Sequence, residues 1–239
     1  MSARVENVVT SGTFSLDGGT WEVDNNVWIV GDDHEVIVID PAHDVAKVTE
    51  AVAGRRVLAV LLTHGHDDHA RAAREAAEAL GAPVLLPAAD RMLWDMVHAD
   101  APDGTVEDGQ LFAVAGTELR ALATPGHTPG STCYYAPELG VLFSGDTLFN
   151  GGPGATGRSY SDFDTIIESI TQQLFFLPRD TRVLTGHGRR NQHRRRGAAP
   201  GGMDRQGPLN PVTSARARPV GRALAAFSPR TSTPPRPRW

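Results

Sequence analysis

Thr63-His64-Gly65-His66-Asp67-Asp68-His69 follows directly on the apolar run Leu58-Ala59-Val60-Leu61-Leu62. Imidazole is a preferred ligand of zinc and iron. His64 and His66 stand two apart, so on an extended segment they point to the same side. Asp68 and His69 come next, at the expected start of a helix. Adjacent residues diverge there and can serve two different metals. A strand that ends in such a cluster aims several nitrogens at one point.

Three further metal-type ligands lie downstream in loops of small residues: His127 in TPGHTPG, Asp146 in FSGDTLF and His187 in LTGHG. Taken singly, each reads as a turn or capping residue. Each falls at or just after a predicted strand, where sheets of this kind place their sites. Together with the first cluster they point to a metal-dependent hydrolase.

Around these motifs the pattern alternates strands and helices. Thr20 to Val30 and Glu35 to Ile39 read as paired strands joined by the turn Gly31-Asp32-Asp33-His34. Val57 to Leu62 is a continuous apolar strand, which implies cover on both faces. Val84 to Leu86 is a further short strand. Helices are predicted over Asp44 to Val52, Asp68 to Leu80 and Ala88 to Val97. In the second half Gln110 to Val114, Glu118 to Ala123, Ser131 to Tyr135, Val141 to Ser144 and Arg182 to Thr185 read as strands. Phe163 to Leu177 has helical apolar spacing. Two β-rich halves, each followed by helices, imply two sheets sandwiched between helices.

Composition narrows the class. The chain has 239 residues and a single cysteine, Cys133, so no internal disulfide forms. Cys133 falls in a strand with no base beside it, which reads as core packing. No stretch is long and apolar enough to span a membrane, and no signal-peptide pattern opens the chain. These features point to the cytoplasm. The net charge of −5 conceals a split. Residues 189–239 hold 12 arginines against the single acid Asp204, a net of +11, so the first 188 residues carry −16.

The two segments, 1–188 and 189–239, therefore read as a folded domain and a basic Arg/Pro-rich tail. By composition the tail is disordered. Back-translated with freely chosen G+C-rich codons and shifted by one nucleotide, the stretch from Gly188 to Pro208 can instead read as an acidic and helix-like sequence. A frameshifted C-terminus is thus the sharper reading of this segment. A nucleic-acid-binding tail is the other, although the domain offers no basic or aromatic stripe to continue it.

The motifs THGHDDH, TPGHTPGS, FSGDTLF and LTGHG, with VIVIDP upstream, resemble the metallo-β-lactamase-fold hydrolases. Within that fold they resemble the single-domain branch of the glyoxalase II-like (hydroxyacylglutathione hydrolase-like) enzymes. The resemblance runs from Gly12 to Gly188. It implies an α/β fold, an αββα four-layer sandwich, and a two-metal site. His64, His66 and His127 would hold one ion, Asp68, His69 and His187 the other, and Asp146 would bridge them. The two divalent ions would be zinc, with iron or manganese also suited. Asp40 of the VIVIDP motif would support the ligands by hydrogen bonding. Arg158 and Tyr160 match a segment that contacts the thiol carrier in this family, where arginine suits a carboxylate.

The resemblance implies hydrolysis of a small-molecule thioester of a low-molecular-weight thiol. Two metals lower the pKa of a shared water to roughly 7. The resulting hydroxide would attack the carbonyl, with Asp68 and Asp146 orienting it. Glutathione is the family's usual carrier, and a G+C-rich source leaves mycothiol open. The same fold also serves mono-iron persulfide dioxygenases, lactonases and β-lactamases, which stand as alternatives. No nucleic acid or membrane partner is expected. His34, His43 and His98 fit no motif and read as surface residues.

Overall fold

The computed structural model of the chain describes residues 2–188. The basic segment from 189 on, with its disorder and frameshift readings, lies outside the described residues. No described helix is long and apolar enough to cross a membrane.

The chain opens with a long hairpin of β1 (Arg4–Leu16) and β2 (Gly19–Gly31), followed by β3 (Glu35–Ile39). Then come α1 (Val45–Val52), β4 (Arg56–Leu61), α2 (Asp67–Ala70), α3 (Ala73–Leu80), β5 (Val84–Pro87), α4 (Arg91–Trp94) and β6 (Gly104–Val106). These six strands form one sheet in sequential order, antiparallel from β1 to β3 and parallel from β3 to β6. The second sheet takes β7 (Leu111–Val114), β8 (Thr117–Ala123), β9 (Thr132–Ala136) and β10 (Val141–Gly145). A ribbon of β11 (Leu148–Phe149) and β12 (Gly152–Pro153), then α5 (Phe163–Ser169), lead to β13 (Arg182–Thr185). The second sheet has the order β13-β10-β9-β8-β7, with β13 parallel to β10.

The strand period of two builds the four layers. Along β2 and β3, Val27, Ile29, Val36 and Val38 face outward and pack with Val48 of α1 and Ala73 and Ala77 of α3. The intervening Trp28, Val30, Ile37 and Ile39 face the second sheet and meet Leu119, Tyr134, Val141 and Phe143. The other face of the second sheet, at Leu122, Cys133 and Leu142, packs on Ile166 and Ile170. This is the αββα sandwich implied by the motifs.

Three predicted helices are interrupted. The helix over 68–80 divides into α2 and α3 at Arg71–Ala72, where the buried face changes from the ligand cluster to the sheet. The helix over 88–97 is a 3-10 turn, Ala88–Asp90, followed by one turn of α-helix. The helix over 163–177 ends in a π-helical turn, Ile170–Leu174, in which Phe175 N donates to Ile170 O. The sequence reading places nothing before Thr20, yet β1 spans 13 residues. Its turn residues Asp17 and Gly18 both have positive φ, 52° and 76°. That is the backbone a tight two-residue hairpin requires.

The loops bearing the ligands leave the ends of β4, β10 and β13 and the β8–β9 connection. Asp90, fully buried, ties two of them together. Its Oδ2 accepts from Gly65 N at 2.7 Å and from Thr128 Oγ1 at 2.7 Å, and its Oδ1 accepts from Gly130 N at 2.6 Å. The loop of His64 and His66 is thereby bound to the loop of His127. Burial raises the pKa of Asp90, against the opposing pull of these three donors. Asp90→Ala would strand three buried donors, each costing about 1–3 kcal/mol. Urea denaturation should show a loss of at least about 3 kcal/mol, and an unchanged midpoint would remove Asp90 from this role.

Candidate metal centre

Seven side chains from four separate segments converge. His64 follows β4, His66 caps the N-terminus of α2, and Asp68 and His69 lie within α2. His127, Asp146 and His187 come from the three later loops. His64 Nε2 lies 3.1 Å from His66 Nδ1, which lies 3.0 Å from His127 Nε2. On the other side His187 Nε2 lies 3.2 Å from both His69 Nε2 and Asp68 Oδ2. Asp146 Oδ2 reaches both groups, at 3.3 Å from His187 Nε2 and 3.6 Å from His127 Nε2. Three sets, His64–His66–His127, His64–His69–Asp146 and Asp68–His69–His187, each place their ligand atoms within 4.8 Å of one another.

Outward hydrogen bonds determine which imidazole nitrogens face inward. His127 Nδ1 contacts Ala155 O at 2.8 Å, and His187 Nδ1 contacts Asp24 O at 2.8 Å. A carbonyl only accepts, so both Nδ1 atoms carry protons. His69 Nδ1 faces the Asp40 carboxylate, 3.0 Å from its Oδ2, a charge contact without hydrogen-bond alignment. Thr63 Oγ1 donates to Asp40 Oδ2 at 2.7 Å and so accepts from His64 Nδ1 at 3.0 Å. Four Nε2 atoms are left aimed at the centre as the positions where a proton or a metal is held. Asp146 Oδ1 is buried without a hydrogen-bond partner. Crowded imidazole nitrogens and an unpartnered carboxylate oxygen are the donor set that divalent cations take.

The electrostatics divide the site in two. Burial, then the neighbouring histidines, pushes His64 well below its usual range and His66 down to about 3. Burial also opposes charge on His69 and His187. There the carboxylates of Asp68 and Asp146, with Asp40 at His69, outweigh it and raise both. Burial likewise opposes ionisation of Asp68 and Asp146, yet these two histidines hold both carboxylates below their ordinary range.

A cavity opens onto the cluster. Phe14, Val23, Ala155 and Arg158 line it with His66, Asp68, His127, Asp146 and His187. The Arg158 guanidinium stacks 3.8 Å over the Trp21 ring and 5.3 Å from that of Phe14. Tyr160 is not among the lining residues. It is 45% exposed with φ 69°, and the structure does not bring it to the cluster. Cys133 is buried in β9, and burial raises its thiol to about 11.

The surface reading of the three remaining histidines holds for His34 alone. His43 is half-buried and its Nε2 meets Asn25 Oδ1 at 2.9 Å. His98 is half-buried, packs on Trp94 and meets Ala70 O at 2.8 Å. Asn25 donates to Asp68 and Asp90 ties the loops of His66 and His127, and no motif of the sequence singles out either. For Asn25 a signal exists: Asn25-Asn26 directly precedes the apolar run Val27–Val30 of the same strand, and both asparagines are buried with it.

The description of the Metallo-beta-lactamase superfamily matches residues 20–187. The "Probable metallo-hydrolase YqgX" of Bacillus subtilis is 35% identical over 179 residues, covering 68% of this chain and 84% of that one. The "Hydroxyacylglutathione hydrolase" of Methylobacillus flagellatus is 36% identical over 168 residues, covering 69% of this chain and 62% of that one. Among solved structures, TTHA1623 in a di-iron-bound form has a TM-score of 0.60 at 30% identity, covering 76% of this chain and 93% of that one. The chain belongs to the metallo-beta-lactamase superfamily and is one of its metal-dependent hydrolases.

Proposed function

We propose that the protein hydrolyses thioesters of a small, anionic thiol, using two divalent ions. The observation that carries this reading is the paired cluster itself, with Asp146 reaching both halves. His64, His66 and His127 would hold one ion, Asp68, His69 and His187 the other, and Asp146 would bridge them. Zinc suits this nitrogen and oxygen set, as do iron and manganese. Bound there, such ions supply a water that is nucleophilic at neutral pH and positive charge for a developing oxyanion.

The chain's own groups supply the rest. The Asp68 and Asp146 carboxylates accept hydrogen bonds from the attacking water and orient it. Arg158, its guanidinium plane held against Trp21, offers donors to a carboxylate of the thiol carrier. Phe14, Val23 and Ala155 exclude water from the carrier's apolar stem. A thiolate leaves without a proton, so no general acid is needed. No side-chain nucleophile is needed either, since Ser161 Oγ is committed to its own loop through Gly157 N, Arg158 N and Arg158 O. The hydroxyacylglutathione hydrolase relatives support the thioester as substrate.

Metal analysis and a thioester panel test this reading together. The purified chain should hold close to two ions, and His127→Ala or Asp146→Ala should lower both metal content and hydrolysis by at least about a hundredfold in rate. One iron per chain, with oxygen uptake on a thiol persulfide, would replace it with the dioxygenase alternative.

Zinc uptake should also depend on pH. His69 and His187 are shifted towards protonation, so a metal must displace their protons. Affinity should fall as pH falls, by about tenfold per unit for each proton displaced. Calorimetry at pH 7 in buffers of different ionisation enthalpy should register proton release, and buffer-independent heats would contradict it.

A further inference from the structure

Asn25 is fully buried in β2, and its Nδ2 lies 3.0 Å from Asp68 Oδ2. A carboxylate only accepts, so the amide nitrogen faces Asp68 and the amide oxygen faces away. That oxygen lies 2.9 Å from His43 Nε2. An amide oxygen also only accepts, so His43 Nε2 carries the proton. A chain of donors thus runs from His43 through Asn25 to Asp68.

The fold strains itself to place this ring. His43 has φ 56°, a left-handed conformation uncommon outside glycine. Its imidazole lies over Gly12 of β1, where an added Cβ would overlap the ring. Strain of this sort persists where surrounding contacts over-determine a position. Without the His43 donor, the buried Asn25 oxygen has no partner, and Asp68 alone is left to favour the observed orientation of the amide over the flipped one. In the flipped orientation the amide would set an oxygen against the Asp68 carboxylate.

We propose that His43 is a positioning residue for the Asp68–His69–His187 site, holding Asn25 in the one orientation that donates to Asp68. Gly12 belongs to the same device, because only a residue without Cβ leaves room for the ring. The inference rests on the two-ion reading of the cluster. Ligating carboxylates are oriented by such outer partners, whose loss costs roughly ten- to a hundredfold in metal affinity.

The test is zinc titration of the metal-stripped full chain against a chromophoric chelator, resolving the two binding steps, with thermal unfolding in parallel. His43→Ala should weaken one step by roughly ten- to a hundredfold and leave the other within about threefold. His43→Gln, which restores a donor, should recover most of the loss. Gly12→Ala should reproduce the His43→Ala defect, and the double variant should be no weaker than His43→Ala alone, since groups acting through one contact are not additive. Two unchanged steps in His43→Ala, equal weakening of both steps, or additive losses from Gly12 and His43 would each overturn the proposal. A wild-type chain that takes up a single zinc would instead overturn the two-ion reading, and the inference with it.

Discussion

One buried carboxylate organises the site. Asp40, 1% exposed, sits just past β3 with φ 51°, where the chain turns over the end of the sheet. Its Oδ1 accepts from Thr63 N at 2.7 Å and its Oδ2 from Thr63 Oγ1 at 2.7 Å, while His69 Nδ1 lies 3.0 Å from Oδ2. Hydrogen bonds to a charged group are worth about 1.5–3 kcal/mol each, so the two from Thr63 offset part of the cost of burying this carboxylate. Through them Asp40 pins the end of β4 to the end of β3 and draws α2 onto both. It also sets the tautomer of His64 through the Thr63 hydroxyl and places its charge beside the Nδ1 edge of His69. Which nitrogen of His64 turns into the cluster is therefore a consequence of where β3 ends.

The other half of the centre is held by backbone carbonyls. His127 leans on Ala155 O and His187 on Asp24 O, so each ring is positioned by a segment remote in sequence. The link to Asp24 joins the sheets. Asn26 N donates to Gly186 O, and Trp28 Nε1 and Asn26 Nδ2 both donate to Thr185 O. Sheet packing and ligand placement are thus one set of contacts at this edge. A change that slid one sheet against the other would move His187 away from Asp68 and Asp146, whatever it did to the apolar core.

This explains which parts were legible in the sequence. The strands around both cores were readable because apolar residues at period two leave few alternatives, as in Val36 to Ile39. The convergence of His64, His66, Asp68, His69, His127, Asp146 and His187 was readable because each ligand follows a strand or begins a helix. The broken helices were not, since apolar spacing continues through Arg71–Ala72 while the buried face changes partner. β1 alternates polar and apolar residues too weakly to stand alone. Only the Asp17-Gly18 turn and the register with β2 reveal it. Asp90 and His43 were hidden for a different reason. A buried carboxylate accepting from two loops, and an imidazole seated on a glycine 31 residues away, are tertiary facts with no local pattern.

The hairpin of β1 and β2 connects these levels. Its base belongs to the first sheet and its far end reaches the cavity mouth, where Phe14 and Trp21 stack on each other and Arg158 lies against both. The tip is fastened across the cavity, since Ser159 N donates to Asp17 Oδ2 at 3.0 Å. Farther down the same hairpin, Gly12, Asp24 and Asn25 hold the partners of His43, His187 and Asp68. One two-stranded ribbon therefore contacts the cavity-lining Arg158 at its tip and residues of the histidine and aspartate cluster at its middle. Such an arrangement divides labour along a strand. Substitutions near Asp17 change what the cavity admits, whereas substitutions near Asp24 change how the ligands are held. Strand geometry spaces these positions at about 3.3 Å per residue, so a single ribbon keeps recognition and ligand support at a constant separation.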